Sequence, residues 1–245
     1  MSRGPGRAVF FDFGGTLFSY TDVWGRNFYP ILLEAMQRLG VESEAERAGP
    51  AFRDATRETF VEFRDRAYYL HRDLYQSIFT HFARTLGGEA SPEQLEWFHE
   101  RQRSLVVEQF QLRPDCLAVL GSLRDSGLHV AIVSNIDDDY LVPMIARADL
   151  ERSLDAWTSS EEAQSCKPDP GIFEVALGKA GVEASECFFV GDSEEHDIAG
   201  ARSLGMQTVL IQEGELEAPG SGVRAEAHHR IRTLSELLPI VEAHA

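Results

Sequence analysis

Short apolar runs and helical patterns alternate along most of this chain. The runs have the continuous apolar character of strands that are buried on both faces of a sheet. They occupy residues 8–11, 128–133, 155–159, 187–190 and 208–211. Apolar residues at helical spacing occur between and after them, at residues 114–126, 138–147, 169–180, 198–204 and 233–242. This alternation predicts an α/β fold, with a Rossmann-like parallel sheet that has helices on both faces.

Residues 18–110 show helical patterns only. The apolar face of one predicted helix holds four residues: Phe52, Phe60, Phe63 and Ala67. Ser91-Pro92-Glu93-Gln94 is typical of a helix start, because the serine can cap the helix and proline suits its first turn. We therefore expect an all-helical domain of residues 18–110, inserted into a core domain of residues 1–17 and 111–245. Such an insertion would lie above the carboxyl end of the sheet.

The composition of the chain indicates which classes of binding partner are excluded and in which compartment the protein is expected. The 245 residues carry a formal net charge of −17, which argues against binding to nucleic acid or anionic membranes, since both attract basic surfaces. Neither a signal peptide nor a membrane-spanning apolar run is recognisable. The three cysteines lack CxxC spacing and are typical of reduced thiols. We predict a cytoplasmic protein that binds neither nucleic acid nor membrane, and the sequence leaves its oligomeric state open.

Polar residues stand where several predicted strands end. Asp12 follows the first strand, and the two glycines after it allow the backbone to approach a ligand closely. Ser134 follows the second strand, Lys167 precedes a predicted helix, and Asp192 follows the strand at 187–190 with Asp197 nearby. The carboxyl ends of parallel strands meet at one edge of a sheet, so we expect these five side chains to lie together.

Three aspartates at one site would repel one another unless a cation neutralised them. Mg²⁺ suits such a site, because it binds one or two carboxylates, waters and a substrate phosphate oxygen. Lys167 could neutralise a phosphoryl group, and Ser134 could donate a hydrogen bond to its oxygens. Asp12 could then attack phosphorus and form an aspartyl-phosphate. Each residue alone also suits a turn, a helix cap or the surface, but their joint arrangement favours catalysis.

Four motifs, in this order, resemble those of the haloacid dehalogenase superfamily, most of whose members are magnesium-dependent phosphatases. The motifs are Asp12-Phe13-Gly14-Gly15-Thr16, Ser134, Lys167-Pro168, and Gly191-Asp192-Ser193 with Asp197. The resemblance covers essentially the whole chain, and the inserted helices correspond to the family's cap domain. It implies a hydrolase that removes phosphate from a small phosphorylated metabolite through an aspartyl-phosphate, with Mg²⁺ as cofactor.

The resemblance also implies a role for each site residue. The catalytic residues would be Asp12 as nucleophile, with Ser134 and Lys167. The metal ligands would be Asp12, the backbone carbonyl of Gly14, and Asp192. The residues that bind substrate would be Gly15, Thr16, Ser134, Asn135 and Lys167. The metal site and Lys167 would be supported by Ser193 and Asp197.

Gly14 departs from the family pattern and keeps other functions open. Phosphatases of the family usually have an aspartate at this position as general acid and base. Tyr20, Asp22, His71 or water could protonate the leaving group instead. The alternatives are a weak or inactive relative that binds a phosphorylated ligand or a protein partner, and a metal-independent 2-haloacid dehalogenase. Residues 18–110 contain no lysine, which argues against a phosphonatase that forms a Schiff base there.

Overall fold

Six parallel strands form the sheet that carries the polar strand ends. The computed structural model describes residues 6–19, 27–41, 45–212 and 226–244. Its strands are β1 Ala8–Phe11, β2 His129–Ser134, β3 Ala156–Ser159, β4 Cys187–Gly191, β5 Gln207–Ile211 and β6 His229–Ile231. All neighbouring strands run parallel. The predicted α/β fold is confirmed, and β6 is an edge strand that the sequence pattern did not predict.

The strand β1 lies inside the sheet, whose order is β3-β2-β1-β4-β5-β6. Along the chain, β2 and then β3 are added on one side of β1. The chain then crosses over, and β4, β5 and β6 are added on the other side of β1. Phe11 is in register with both Ile132 and Val190, so β1, β2 and β4 end at nearly the same level. Every residue of β1 is fully buried, as a strand covered on both faces requires. The reversal between β1 and β4 is the switch point at which such sheets bind ligands.

The chain divides into two compact units, Met1–Ser19 with Leu112–Ala245 and Tyr20–Gln111. The second unit contains four long helices in its described residues: α1 Tyr29–Arg38, α2 Ala48–Phe63, α3 His71–Thr85 and α4 Pro92–Gln109. The predicted start of α4 is present as a capping box, because the Gln94 N–H donates to Ser91 Oγ and the Ser91 N–H donates to Gln94 Oε1. No strand occurs among the described residues of this unit.

The buried face of α2 differs from the one predicted. Small residues form most of that face, which consists of Ala48, Ala51, Ala55, Thr59 and Phe63. Phe60 is 49% exposed, and Ala67 lies beyond the end of the helix. The prediction followed the large aromatic residues, whereas small side chains allow the backbones of neighbouring helices to approach each other closely. Phe52 packs at the edge of the same apolar cluster and remains partly exposed.

The core unit adds six helices to the sheet in the described part of the chain. They are α5 Cys116–Asp125, α6 Asp138–Arg147, α7 Ser160–Ala163, α8 Pro170–Ala180, α9 Gly200–Ser203 and α10 Leu237–Glu242. The helix predicted at residues 198–204 is in fact a π-helical turn, Glu194–Ala199, followed by α9. Turns of this kind are rare and occur often at functional sites. None of the described helices is both long and apolar enough to cross a membrane.

Candidate active site

Asp12 directly follows β1 and is held by groups from β2, from β4, from Lys167 and from the loop that follows it. Its backbone N–H donates to the carbonyl of Val190 at 2.9 Å, which fixes Asp12 at the end of β4 as well. Ser134 Oγ donates to Asp12 Oδ1 at 2.9 Å, and Lys167 Nζ donates to the same oxygen at 2.6 Å. Thr16 Oγ1 donates to the other oxygen, Oδ2, over 3.4 Å. The carboxylate of Asp12 is therefore buried and oriented at both oxygens.

Lys167 bridges two buried carboxylates. Its Nζ lies 2.6 Å from Asp12 Oδ1 and 2.6 Å from Asp197 Oδ1, and the lysine is only 3% exposed. Burial alone would lower the pKa of this ammonium group. The charges of Asp12 and Asp197 and the hydrogen bonds to both outweigh burial, so the pKa of Lys167 is raised above its ordinary value. Lys167 is consequently a permanent positive charge in the site at neutral pH.

Asn135 holds the backbone of Lys167. Its Nδ2 donates to the Lys167 carbonyl at 3.0 Å, and the Lys167 N–H donates to Asn135 Oδ1 at 2.6 Å. Both ends of the amide side chain are therefore engaged by one residue. This geometry gives Asn135 a positioning role, and the direct contact with substrate that the resemblance implies stays a prediction.

Asp192 and Asp197 come from the segment that follows β4. The Ser193 N–H donates to Asp197 Oδ2 at 3.0 Å, and Ser193 Oγ accepts the His196 N–H at 3.1 Å, so Ser193 stabilises the π-helical turn. Within this turn Asp197 is 1% exposed and faces Lys167. Gly191 packs so closely on Asp197 that an added Cβ would lie 2.4 Å from its side chain. The turn thus places the buried carboxylate of Asp197 at the carboxyl end of the sheet, next to Lys167.

Asp12, Asp192 and Asp197 form a group of carboxylates whose oxygens lie within 4.8 Å of one another. Asp192 as a residue is exposed, but its carboxylate packs against Gly15. Desolvation, followed by the negative charges of Asp12 and Asp197, raises the pKa of Asp192 to about 7. Three carboxylates and one ammonium leave two uncompensated negative charges when all are ionised. This donor set fits a hard divalent cation such as Mg²⁺. The Gly14 carbonyl stays a predicted ligand.

Gly15 is the tightest point of the loop after Asp12. Its φ is +87°, and an added Cβ would lie 2.1 Å from Asp192 Oδ2. Its N–H donates to the Phe18 carbonyl at 2.8 Å, so this N–H is engaged within the loop instead of facing a substrate. The structure therefore shows that Gly15 packs closely against the carboxylate of Asp192.

We expect Gly15→Ala to lower the free energy of unfolding by clearly more than Gly127→Ala. Both glycines have positive φ, which costs an alanine about 1 to 3 kcal/mol. A Cβ at Gly127 would meet nothing within 4 Å, whereas at Gly15 it would strike Asp192. Urea denaturation of the two variants separates backbone strain, which they share, from the clash. Equal losses would contradict the packing described here.

Arg113 is a contributor that the sequence reasoning missed. Its Nε donates to the Thr16 carbonyl and its Nη2 to the Gly15 carbonyl, each at 2.7 Å. Nothing in the local sequence signals these bonds, because backbone carbonyls accept them and the partners are 97 and 98 residues away.

Two of the residues predicted as possible proton donors to the leaving group, Tyr20 and Asp22, lie outside the described residues.

The cysteines and histidines offer no second metal site among the described residues. Cys116, Cys166 and Cys187 are buried, and none of them is in a disulfide. Burial, followed by the charge of a neighbouring acid, raises the pKa of Cys116 and Cys187 to about 12, so both thiols stay protonated at neutral pH. The prediction that the three cysteines form no disulfide is confirmed.

The chain is similar to known hydrolases along most of its length. The family model for haloacid dehalogenase-like hydrolases matches residues 7–205. The chain is 31% identical over 242 residues to ribulose-1,5-bisphosphate 5-phosphatase of Halopiger xanaduensis, covering 96% of this chain and 98% of that protein. It is 35% identical over 137 residues to (S)-2-haloacid dehalogenase 4A of Burkholderia cepacia, covering 56% and 58%. A solved phosphatase structure from Thermococcus onnurineus matches with TM-score 0.70 and 26% identity, covering 96% and 97%.

Proposed function

This chain belongs to the haloacid dehalogenase-like hydrolases, and from that premise we propose that it is a magnesium-dependent phosphatase of a small phosphorylated metabolite. The observation that carries the proposal is the pairing of the three-carboxylate group with the buried Lys167. A phosphate dianion would be repelled by carboxylates alone. A divalent cation together with Lys167 makes the same site attractive to that dianion.

In the proposed reaction the Asp12 carboxylate attacks the phosphorus of a phosphate monoester. The bond between phosphorus and the leaving oxygen breaks, its electron pair stays on that oxygen, and an aspartyl-phosphate forms. Water then attacks the phosphorus, releases inorganic phosphate and regenerates Asp12. Lys167 and Ser134 contact Asp12 Oδ1, so both donors are close to where the transferred group would be held. A proton must reach the leaving oxygen, and Gly14 cannot supply it.

The residues that would hold Mg²⁺ are Asp12 and Asp192, with the Gly14 carbonyl as a third ligand and Asp197 beside them. When bound, the cation supplies charge neutralisation for the phosphoryl oxygens. Asp197 is engaged by Lys167 and by the Ser193 N–H, and both contacts suit a supporting role. We therefore assign Asp197 to positioning Lys167, and Ser193 to shaping the turn that carries Asp197.

The test is phosphate release from a panel of phosphorylated metabolites, with Mg²⁺ and with excess EDTA. Sugar phosphates and sugar bisphosphates belong in the panel because the Halopiger relative is a ribulose-1,5-bisphosphate 5-phosphatase. We expect turnover that requires the metal. Absence of turnover across the panel, combined with thermal stabilisation by one of its members, would support the inactive ligand-binding alternative instead.

A 2-haloacid dehalogenase is the second candidate, since the chain is 35% identical to such an enzyme over 137 residues. The crowded carboxylates argue against it, because a reaction that needs no metal leaves their repulsion uncompensated. Halide release from 2-chloropropionate that is unchanged by EDTA would establish this activity. We expect no halide release.

Because Gly14 offers no acid, the rate should depend steeply on the leaving group. We expect kcat/KM to rise as leaving-group pKa falls across a series of aryl and alkyl phosphates, since a positioned acid is typically worth about 10²–10⁴-fold. Gly14→Asp should flatten this dependence by raising the rates for alkyl phosphates.

Gly121→Asp is the matched control for the added charge, because a Cβ added at Gly121 would meet nothing within 4 Å. It should keep the wild-type slope. A flat wild-type dependence with fast alkyl phosphate hydrolysis would show that another group already donates the proton.

A further inference from the structure

The loop that follows Asp12, residues 13–18, is held by hydrogen bonds from Arg113, which is distant in the sequence. Arg113 binds three successive carbonyls: its Nη2 donates to Gly15 and its Nε to Thr16, each at 2.7 Å, and its backbone N–H donates to Leu17 at 2.9 Å. Leu112, the residue before it, forms a β-bridge with Phe18. The segment at residues 112–113 therefore lies along residues 15–18 of the loop.

Holding these carbonyls fixes the peptide planes of the loop. In a trans peptide the C=O and the following N–H point in opposite directions, so a bound carbonyl also fixes the next N–H. The Leu17 N–H, which follows the Thr16 carbonyl, donates to the Phe13 carbonyl at 2.9 Å. The loop is thus held on one side by Arg113 and on the other by its own backbone.

Each carbonyl that the guanidinium binds belongs to a residue in contact with a carboxylate of the site. Thr16 Oγ1 donates to Asp12 Oδ2, and Gly15 packs against Asp192. A shift of Gly15 or Thr16 would therefore move one of the two carboxylates. From these contacts we propose that Arg113 is a positioning residue, which acts through Thr16 and Gly15 to orient Asp12 and Asp192.

This inference rests on the proposed phosphatase function for its kinetic readout. Misplacing reacting groups by about 1 Å costs on the order of 10²-fold in rate. We expect Arg113→Gln to lower kcat by about 10- to 100-fold while KM stays close to the wild-type value, because the guanidinium of Arg113 binds backbone carbonyls of the loop. Arg113→Lys should recover part of the loss, since lysine keeps the charge and can donate to the carbonyls but lacks the planar fork that meets both of them in a fixed geometry.

The matched control is Arg124→Gln. Arg124 also donates to a backbone carbonyl, that of Arg152, and pairs with Asp155 at 3.0 Å, but these partners lie outside the site. A double variant with Thr16→Val tests the route of the effect. If Arg113 acts through Thr16, the loss in kcat of Arg113→Gln and Thr16→Val together should be smaller than the product of their separate losses.

Amide hydrogen exchange gives a readout that needs no activity. The Gly15 and Leu17 N–H groups donate within the loop, so Arg113→Gln should speed their exchange by about tenfold or more, and Arg124→Gln should leave it unchanged. Unchanged exchange at both amides, or wild-type kcat in Arg113→Gln, would overturn the proposal. If the wild-type protein releases no phosphate, the proposed function fails and exchange alone decides the role of Arg113. If Arg113→Gln does not fold, Arg113→Lys provides the same comparisons.

Discussion

Asp12→Asn is expected to abolish phosphatase turnover while leaving the fold at least as stable as the wild type. Loss of a catalytic nucleophile typically lowers kcat by about 10⁴- to 10⁶-fold, because no other group can form the covalent intermediate. Stability should not fall with activity, since Asp12 adds to the negative charge that crowds Asp192 and Asp197. Removing this charge relieves repulsion, and Lys167 keeps its contact with Asp197. Phosphate release and thermal unfolding, measured on the same preparations, check both parts.

Asp125→Asn is the matched control for Asp12→Asn. Asp125 is the last residue of α5 and is exposed, so this variant removes the same charge at a surface position that belongs to none of the motifs. We expect wild-type turnover from it. Residual turnover in Asp12→Asn above about one part in 10³ would exclude Asp12 as the sole nucleophile. A clear loss of thermal stability in Asp12→Asn would show that the ion pair of Asp12 with Lys167 stabilises the fold.

The proximity of the candidate site residues could be predicted largely from strand order and strand ends. Asp12, Ser134 and Asp192 each stand at or just after the end of a parallel strand, and such ends meet at one edge whatever the loops do. Lys167 precedes α8 and Asp197 lies in the π-helical turn, so strand ends alone do not predict the ion pairs that Lys167 makes with Asp12 and Asp197. Their 2.6 Å distances could not be predicted, because they depend on how Asn135 holds the Lys167 backbone.

The features that were missed are those whose cause lies in backbone geometry or in distant partners. β6 has the sequence His229-Arg230-Ile231, and two polar residues out of three give no strand pattern, although edge strands are often short and charged. The π-helical turn at Glu194–Ala199 has an apolar residue only near its end, so the sequence indicated a helix that begins at Ile198. The buried pairing of Asp197 with Lys167 gives that turn its place in the site.

The α2 helix shows how side-chain size can mislead a prediction. The predicted apolar face was centred on large residues such as Phe52 and Phe60. The face that is buried in the structure instead includes Ala51 and Ala55. Alanine contributes little to an apolar pattern, yet it allows a neighbouring helix to pack closely. The existence of the helix could be read from periodicity, and its orientation about its own axis could not.

Lys167→Met is expected to have the largest combined effect on activity and stability. The substitution leaves Asp12 and Asp197 buried without their cation, and breaking a buried ion pair in this way costs about 3 to 5 kcal/mol of unfolding free energy. Loss of a single preorganised donor at the reacting group lowers kcat by about 10²- to 10³-fold. Urea denaturation and phosphate release measure the two effects separately.

The control is the chain's only other lysine. Lys179 contacts the Trp157 carbonyl and Glu162 at a partly exposed position, so Lys179→Met should cost less than about 1 kcal/mol and leave turnover unchanged. The double variant Lys167→Met/Asp197→Asn removes one of the stranded carboxylates. We expect it to be more stable than Lys167→Met alone. If it is less stable, the packing of the lysine side chain, and not its charge, accounts for the loss.

The protonation of Lys167 provides the last test, and the sign of the effect follows from the direction of its pKa. Because the folded state raises the pKa of Lys167, its contribution to stability is fully present below the unfolded value of about 10.4 and is lost as the pH rises through the folded value. With only two lysines in the chain, ¹³Cε-labelled lysine gives two side-chain signals, and Lys179→Met assigns them. We expect the Lys167 signal to remain that of the protonated form beyond pH of about 10.4. Titration at or below that value would contradict an ammonium group held between two ionised carboxylates, and with it the electrostatic basis of the proposed phosphate site.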